Sequence, residues 1–288
     1  MRLRHLLSWL PFERFRNPPP VIAVVPLHGV IGRVGALRQG LSLGTLSPTL
    51  ERAFTIKDAK AVALVVNSPG GSPVQSALIA RRIRALAEEH DRPVFAFAED
   101  VAASGGYWLL AAGDEIWADE SSIVGSIGVI SAGFGFTEAL GRLGIERRVH
   151  TAGVHKGALD PFRPEQAEEV AHLRRIQADV HESFRQHVRT RRGDRLKGEE
   201  SELFSGRYWA GRQALDLGLI DGLGDVRTIM REKFGAKVRL RVIGQTRRWW
   251  RRSRLPGIGA EQRPGFADLL DRTFAWVEER LMWNQFGL

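Results

Sequence analysis

The sequence predicts an α/β protein: a mostly parallel sheet with helices on its faces. Two observations predict it. Short apolar runs, rich in β-branched residues or alternating with alanine, recur at residues 21–25, 61–66 and 94–98, as strands buried on both sides do. Helical periodicity fills the stretches between them, and strands alternating with helices close into a covered parallel sheet. A chain of 288 residues, 43% apolar and 26% charged, has material for a sizeable core.

In chain order, Pro18-Pro19-Pro20 ends an N-terminal segment and leads into the strand at 21–25. Gly-rich loop sequence runs from Gly29 to Gly44. Ser47-Pro48 reads as a helix N-cap and first position, for a helix to about Phe54. The strand at 61–66 is broken by Asn67-Ser68-Pro69-Gly70-Gly71-Ser72-Pro73. A helix then runs to about Glu89, with Ile79, Ile83, Leu86 and Ala87 on one face. The strand at 94–98 precedes a helix at 104–112. Strand-like pieces follow near 115–118, 127–130 and 145–150. A long amphipathic helix spans about 165–189, with Val170, Leu173, Ile176, Val180 and Phe184 on its apolar side. A short helix near 210–217, a turn at 221–224, a helix to about Phe234 and a strand at 238–243 complete the body. Phe266, Leu270, Phe274, Val277 and Leu281 form one face of a C-terminal helix, which suits packing on the body and a membrane or partner surface equally. The chain thus divides into a basic amphipathic segment (1–19), a main domain (20–243) and a basic, Trp-rich linker with an amphipathic helix (244–288).

The net charge of +9 is localised. Arg2, Arg4, Arg14 and Arg16 face only Glu13 in residues 1–17, and Arg247, Arg248, Arg251, Arg252 and Arg254 have no acid among residues 246–254. The rest is near neutral, unlike a nucleic-acid-binding surface, so no nucleic-acid partner is expected. Both tails mix arginine with large apolar residues, Trp9, Phe12 and Phe15 in one and Trp249 and Trp250 in the other, as headgroup-level membrane surfaces do. No apolar run reaches the roughly 18 residues of a spanning helix. The expected location is therefore peripheral on a membrane, or cytoplasmic. There is no cysteine, which excludes thiol nucleophiles, thiolate metal sites and disulfides.

Three short motifs can carry chemistry. Gly70-Gly71 at a strand end lets backbone N–H groups face a cleft, as an oxyanion hole requires; an ordinary Pro-Gly turn is the alternative. Ser104, before Gly105-Gly106-Tyr107-Trp108, stands at a helix mouth, where free N–H groups stabilise developing negative charge; a simple N-cap is the alternative. No histidine lies between His90 and His150, so the usual base is missing from the expected interval. Lys156, in Gly153-Val154-His155-Lys156, can serve instead if an apolar setting desolvates it, and its position after an apolar strand and a glycine predicts partial burial; the alternative is a surface loop lysine. His155 would point away from it in extended chain.

Together with Gly125-Ser126-Ile127-Gly128-Val129, Phe204-Ser205-Gly206-Arg207, Ala214 and Gly218-Leu219-Ile220-Asp221, these motifs resemble the signal peptide peptidase A (SppA/SohB) family of serine peptidases, peptidase family S49, over about residues 20–243. The resemblance implies a crotonase/ClpP-like fold and a Ser–Lys dyad that needs no cofactor or metal. Ser104 would be the nucleophile and Lys156 the general base. N–H groups of Gly70 or Gly71 and of Gly105 would form the oxyanion hole, and Ser126 would orient the lysine. It also implies hydrophobic peptide substrates, such as remnant signal peptides, and a homo-oligomeric ring or dome in which the lysine reaches the serine across a subunit boundary. One Ser motif and one Lys motif match the short, single-repeat form. Two departures are visible: the chain shows no N-terminal transmembrane anchor, and Gly157 stands where relatives often have an acid. The rival readings are an acyl-CoA hydratase or isomerase, which would need a well-placed glutamate absent from these motifs, and a non-catalytic membrane scaffold. A Ser-His-Asp peptidase is disfavoured by the missing histidine.

Overall fold

A computed structural model describes residues 18–34, 38–244 and, near the C-terminus, 273, 276, 277 and 279–288. The arginine-rich tails at 1–17 and 246–254, with Phe266, Leu270 and Phe274, lie outside the described residues.

In order, the elements are β1 (Val21–His28), β2 (Arg33–Val34), β3 (Arg38–Gln39), α1 (Leu43–Phe54), β4 (Ala59–Ser68), α2 (Pro73–Glu89), β5 (Val94–Ala103), α3 (Gly105–Leu110), β6 (Glu115–Ala118), β7 (Ile123–Gly125), α4 (Thr137–Leu143), α5 (Ala167–Arg192), α6 (Glu200–Leu203), β8 (Tyr208–Ala210), α7 (Gly211–Asp216), β9 (Gly222–Leu223), α8 (Val226–Phe234) and β10 (Arg239–Val242). The main sheet runs β10-β1-β4-β5-β6-β9, all parallel. β7 extends it by pairing parallel to the end of β5 and antiparallel to β8. This is the expected mostly parallel α/β architecture, with helices covering the sheet. One face of the sheet carries Ala23, Val25, Leu64, Val66, Ala96 and Ala98 under α1, α2 and α3; the other carries Ile22, Val24, Phe95 and Phe97 under α8. Alternation along β1, β4 and β5 supplies both cores at once, as a strand buried on both sides must.

Several expected boundaries move. Helix α1 starts five residues before Pro48, because Ser42 and Thr45 form a reciprocal capping box; Pro48 is carried inside the helix rather than opening it. The third strand continues past Ala98 through an exposed bulge at Glu99-Asp100 to Ala103, drawn on by pairing of Val101, Ala102 and Ala103 with β7. Residues 127–130 and 145–150 are not strands. The strand in that region is β7, just upstream, where partners on both sides exist; 145–150 is exposed and has no neighbour to pair with. Helix α5 reaches Arg192 but buries Phe184 and Val188 only near its C-terminal end, while Ile176 is exposed.

The C-terminal end of α5 is locked by a buried ion pair. Arg192, 1% exposed, makes two bonds to the Asp221 carboxylate (2.8 and 2.9 Å) and two to the Gly218 carbonyl. Asp221 accepts from the Ile116 N–H, and the carbonyl after Gly218, that of Leu219, accepts from the buried Tyr107 hydroxyl of α3. Burial alone would raise the Asp221 carboxyl pKa, but Arg192, with the Ile116 N–H and Arg195, more than offsets it, leaving it below its ordinary value. Arg192→Met is expected to destabilise the fold by about 3 kcal/mol, because the partly buried Asp221 carboxylate then keeps only the exposed Arg195 (3.3 Å) as counter-charge. A depressed folded-state pKa contributes stability above the ordinary carboxylate range and loses it as pH falls through the folded value. The Tm difference between wild type and variant, followed by calorimetry from neutral to acid pH, is therefore expected to shrink at the acid end.

Candidate active site

Ser104 stands between β5 and α3, at the point where the chain turns from strand to helix. Its φ is 51° and its ψ −122°, a backbone region that a serine adopts only under strain. Neighbours impose that geometry. The Ser104 N–H donates to the Gly125 carbonyl of β7 (2.8 Å), and the Ser104 carbonyl accepts the first helical bond, from Trp108 N–H (3.0 Å). The side chain caps nothing within α3, so Oγ is left for another use.

The glycine pair after β4 packs directly against this turn. A Cβ on Gly70, whose φ is 105°, would lie 2.8 Å from Ser104 Cβ and 2.9 Å from Gly105 N; a Cβ on Gly105 would lie 2.4 Å from Ser76 Oγ and 3.4 Å from Gly71 N. Only glycine fits at either place. The three expected oxyanion donors are not equivalent. Gly70 N–H is bonded to the buried Ser68 Oγ (3.2 Å), so Gly70 makes room rather than donating. Ile31 bridges this segment: its N–H donates to Gly70 C=O and its C=O accepts from Ser72 N–H, both 2.8 Å. These two bonds flank Gly71 and leave its own N–H on the opposite side, with no partner among the described residues. Gly105 N–H belongs to the first turn of α3, where a helix has no internal acceptor for it. Gly71 and Gly105 thus present two adjacent free N–H groups beside Ser104.

Ile31, Ser68 and Ser76 were not singled out from the sequence. Ile31 lay in what read as a plain Gly-rich loop, and small buried serines leave no periodic trace. Ser126, the residue immediately after the strand pairing, also has a positive φ of 54°; its N–H is held by the Arg207 carbonyl at 2.7 Å. The Phe204–Arg207 motif therefore positions the Ser126 turn.

Lys156 is not brought to Ser104 by its own chain. It is exposed in a turn, with its N–H on the Gly153 carbonyl (3.1 Å), which corrects the expected partial burial. No residue from Gly128 to Glu168 is buried. Ile130, Phe134, Phe136, Leu143, Ile145, Val149 and Val154 stand in solvent there, an apolar surface of the sort that marks an interface. The arm is tied to the N-terminal end of α5, where Glu169 accepts from Leu159 N–H. His181, twelve residues along α5 and about 18 Å away along its axis, is the residue that meets Ile127 C=O. Among the described histidines, His187 is buried against the Trp108 carbonyl, its pKa lowered to about 4 mainly by burial, and His28 pairs with Glu99. Among the described residues no group of His, Asp and Glu could hold a metal ion.

A profile described as "Peptidase family S49" matches residues 87–238, just over half of the chain. A putative signal peptide peptidase SppA of Enterococcus faecium is 34% identical over 207 residues, 70% of this chain and 60% of that protein. A chloroplastic serine protease SPPA of Arabidopsis thaliana is 32% identical over 211 residues, 70% of this chain and 30% of that protein. A Brucella abortus (strain 2308) protein named Na(+)/H(+) antiporter NhaA is 51% identical over 289 residues, 98% of this chain but only 39% of its own length.

Proposed function

Because the chain belongs to peptidase family S49, and is a serine peptidase, we propose that it is an endopeptidase with a Ser104–Lys156 dyad completed between subunits. One observation carries the reading: a strained, uncapped Ser104 sits beside two free N–H groups, while Lys156 rides on an arm whose apolar side chains have no partner within the chain. A second copy that buries this arm would desolvate Lys156 beside the neighbouring Ser104. The lysine would take the Ser104 proton as Oγ attacks the peptide carbonyl, and later return it to the leaving amine. Gly71 and Gly105 N–H groups would hold the oxyanion, and Ser126 would orient the lysine. The apolar arm and the names of the SppA relatives support hydrophobic peptides, remnant signal peptides among them, as substrates.

The Brucella relative bears on location. It joins a segment resembling almost all of this chain to a longer remainder, and it is named for a sodium–proton antiporter. Among the described residues no helix is long and apolar enough to cross a membrane, so transport is not assigned to this chain. A peptidase working at a membrane surface is the reading we take from that relative.

Subunit complementation tests the dyad. Co-expressed Ser104→Ala and Lys156→Ala chains are expected to regain about a quarter of wild-type activity, since one junction in four of a mixed ring pairs an intact serine with an intact lysine. Each variant alone is inactive. A dyad formed within one chain would give a mixture as inactive as its parts.

A further inference from the structure

Between Ile127 and Phe184 the chain buries one residue, and it is a carboxylate: Glu169 is 9% exposed. Acids are almost never buried without partners that offset the lost hydration. The dipole of α5 accounts for an acid in its first turn but not for its burial, and Glu168 beside it is exposed. The partners of Glu169 show what the burial achieves.

Those partners lie on the turn that carries Lys156. One Glu169 oxygen accepts from the Leu159 N–H (2.9 Å), and the other pairs with the Arg163 guanidinium. Arg163 also donates to the Gly157 carbonyl (2.6 Å). The pair therefore grips the backbone at the first and third residues after Lys156. Among the described residues, no other side chain bonds the backbone of residues 151–159. Leu159 is held at a φ of 57°, which a leucine adopts only when its surroundings impose it. A second tie follows at once: Asp160 accepts from Arg147 Nε and from the Phe162 N–H, both at 3.1 Å. The Leu159 N–H foremost, with Arg163, holds the Glu169 carboxyl below its ordinary value against the opposing effect of burial, so the pair is charged at neutral pH.

We propose that Glu169 and Arg163 are positioning residues for the general base: they fix the turn from which Lys156 reaches the Ser104 of a neighbouring subunit. This deepens the Ser104–Lys156 reading above and rests on it. A lysine has a long flexible stem, so its amine is placed only as well as its backbone root is held. A misplacement of about 1 Å can cost on the order of 10²-fold in rate. Helix α5 is a firm mount for that root, because its far end is locked to the core by Arg192 and Asp221.

The test measures kcat and KM on a soluble apolar peptide, the rate of fluorophosphonate labelling at Ser104, and oligomer size by sedimentation, all on the full-length protein. Glu169→Ala is expected to lower kcat about 10²-fold with KM changed less than about twofold. Glu169→Gln keeps an acceptor for the Leu159 N–H but loses the charge, and should lose about tenfold. Arg163→Lys should retain more activity than Arg163→Ala. Tm and oligomer size should hold in all four. Glu169→Ala should slow labelling in the wild-type background and add nothing in Lys156→Ala, since it acts through the lysine. Wild-type kcat in Glu169→Ala overturns the proposal, as does a rise in KM with kcat unchanged, or a further slowing of labelling in the Lys156→Ala background. So does a loss that disappears when the protein concentration is raised, which would assign the pair to subunit assembly. An inactive Lys156→Ala beside a fully active Glu169→Ala would leave the dyad standing and sink only the positioning role; a Lys156→Ala that labels like wild type would sink the dyad itself.

Discussion

Ser104→Ala and Lys156→Ala are each expected to lower kcat/KM on an apolar peptide by at least about 10⁴-fold, and the double variant should be no worse than either single one. In the proposed dyad the two groups act on one proton, so removing either would abolish the same step. Neither change should harm the fold. Ser104 is uncapped and Lys156 is exposed, so Tm should hold. Ser104→Gly separates chemistry from structure. It is equally inactive but relieves the positive φ of 51°, and should gain about 1 kcal/mol of stability, a shift of a few degrees in Tm. Thermal melts and peptide assays on the same preparations check both. A Lys156→Ala enzyme that cleaves like wild type would show that another group is the base.

Gly70→Ala is expected to be almost as damaging, by a different route. The added methyl carbon would start 2.8 Å from Ser104 Cβ and 2.9 Å from Gly105 N, on a backbone whose φ of 105° already disfavours any side chain. The turn must shift, which moves Oγ away from the Gly71 and Gly105 N–H groups. Loss of an oxyanion-hole donor typically lowers kcat by about 10²–10³-fold, and that range is expected here with KM little changed. Stability should fall as well, by on the order of 1–3 kcal/mol. Gly157→Ala is the internal control: open space surrounds it in the isolated chain, so a loss of activity there would report contact with a second subunit rather than strain.

The parts of this molecule visible in the sequence are those whose residue type is forced. Buried parallel strands need continuous apolar runs, and β1, β4 and the first half of β5 have them. Gly70, Gly71 and Gly105 stand where a Cβ cannot, so the glycines themselves mark the site. What was not legible depends on partners distant in the chain. The Ala102–Ala103 extension of β5 exists because β7 pairs with it, and neither segment announces the other. Ile31 is an ordinary apolar residue until its two backbone bonds orient Gly71. The choice between Gly70 and Gly71 as donor turns on Ser68 Oγ, which no pattern reveals. The Lys156 segment read as a strand with a half-buried end because its apolar residues look like core. The structure leaves them in solvent, as residues that find their burial in another copy would be.

The most direct measurement of the central claim is covalent capture. The wild-type protein, treated with a peptidyl fluorophosphonate bearing an apolar side chain, should carry a single adduct, mapped by mass spectrometry to Ser104. Lys156→Ala should label at least about 100-fold more slowly, since the hydroxyl then lacks its base. An adduct on any residue other than Ser104, or undiminished labelling of Ser104 in the Lys156→Ala protein, would contradict the account.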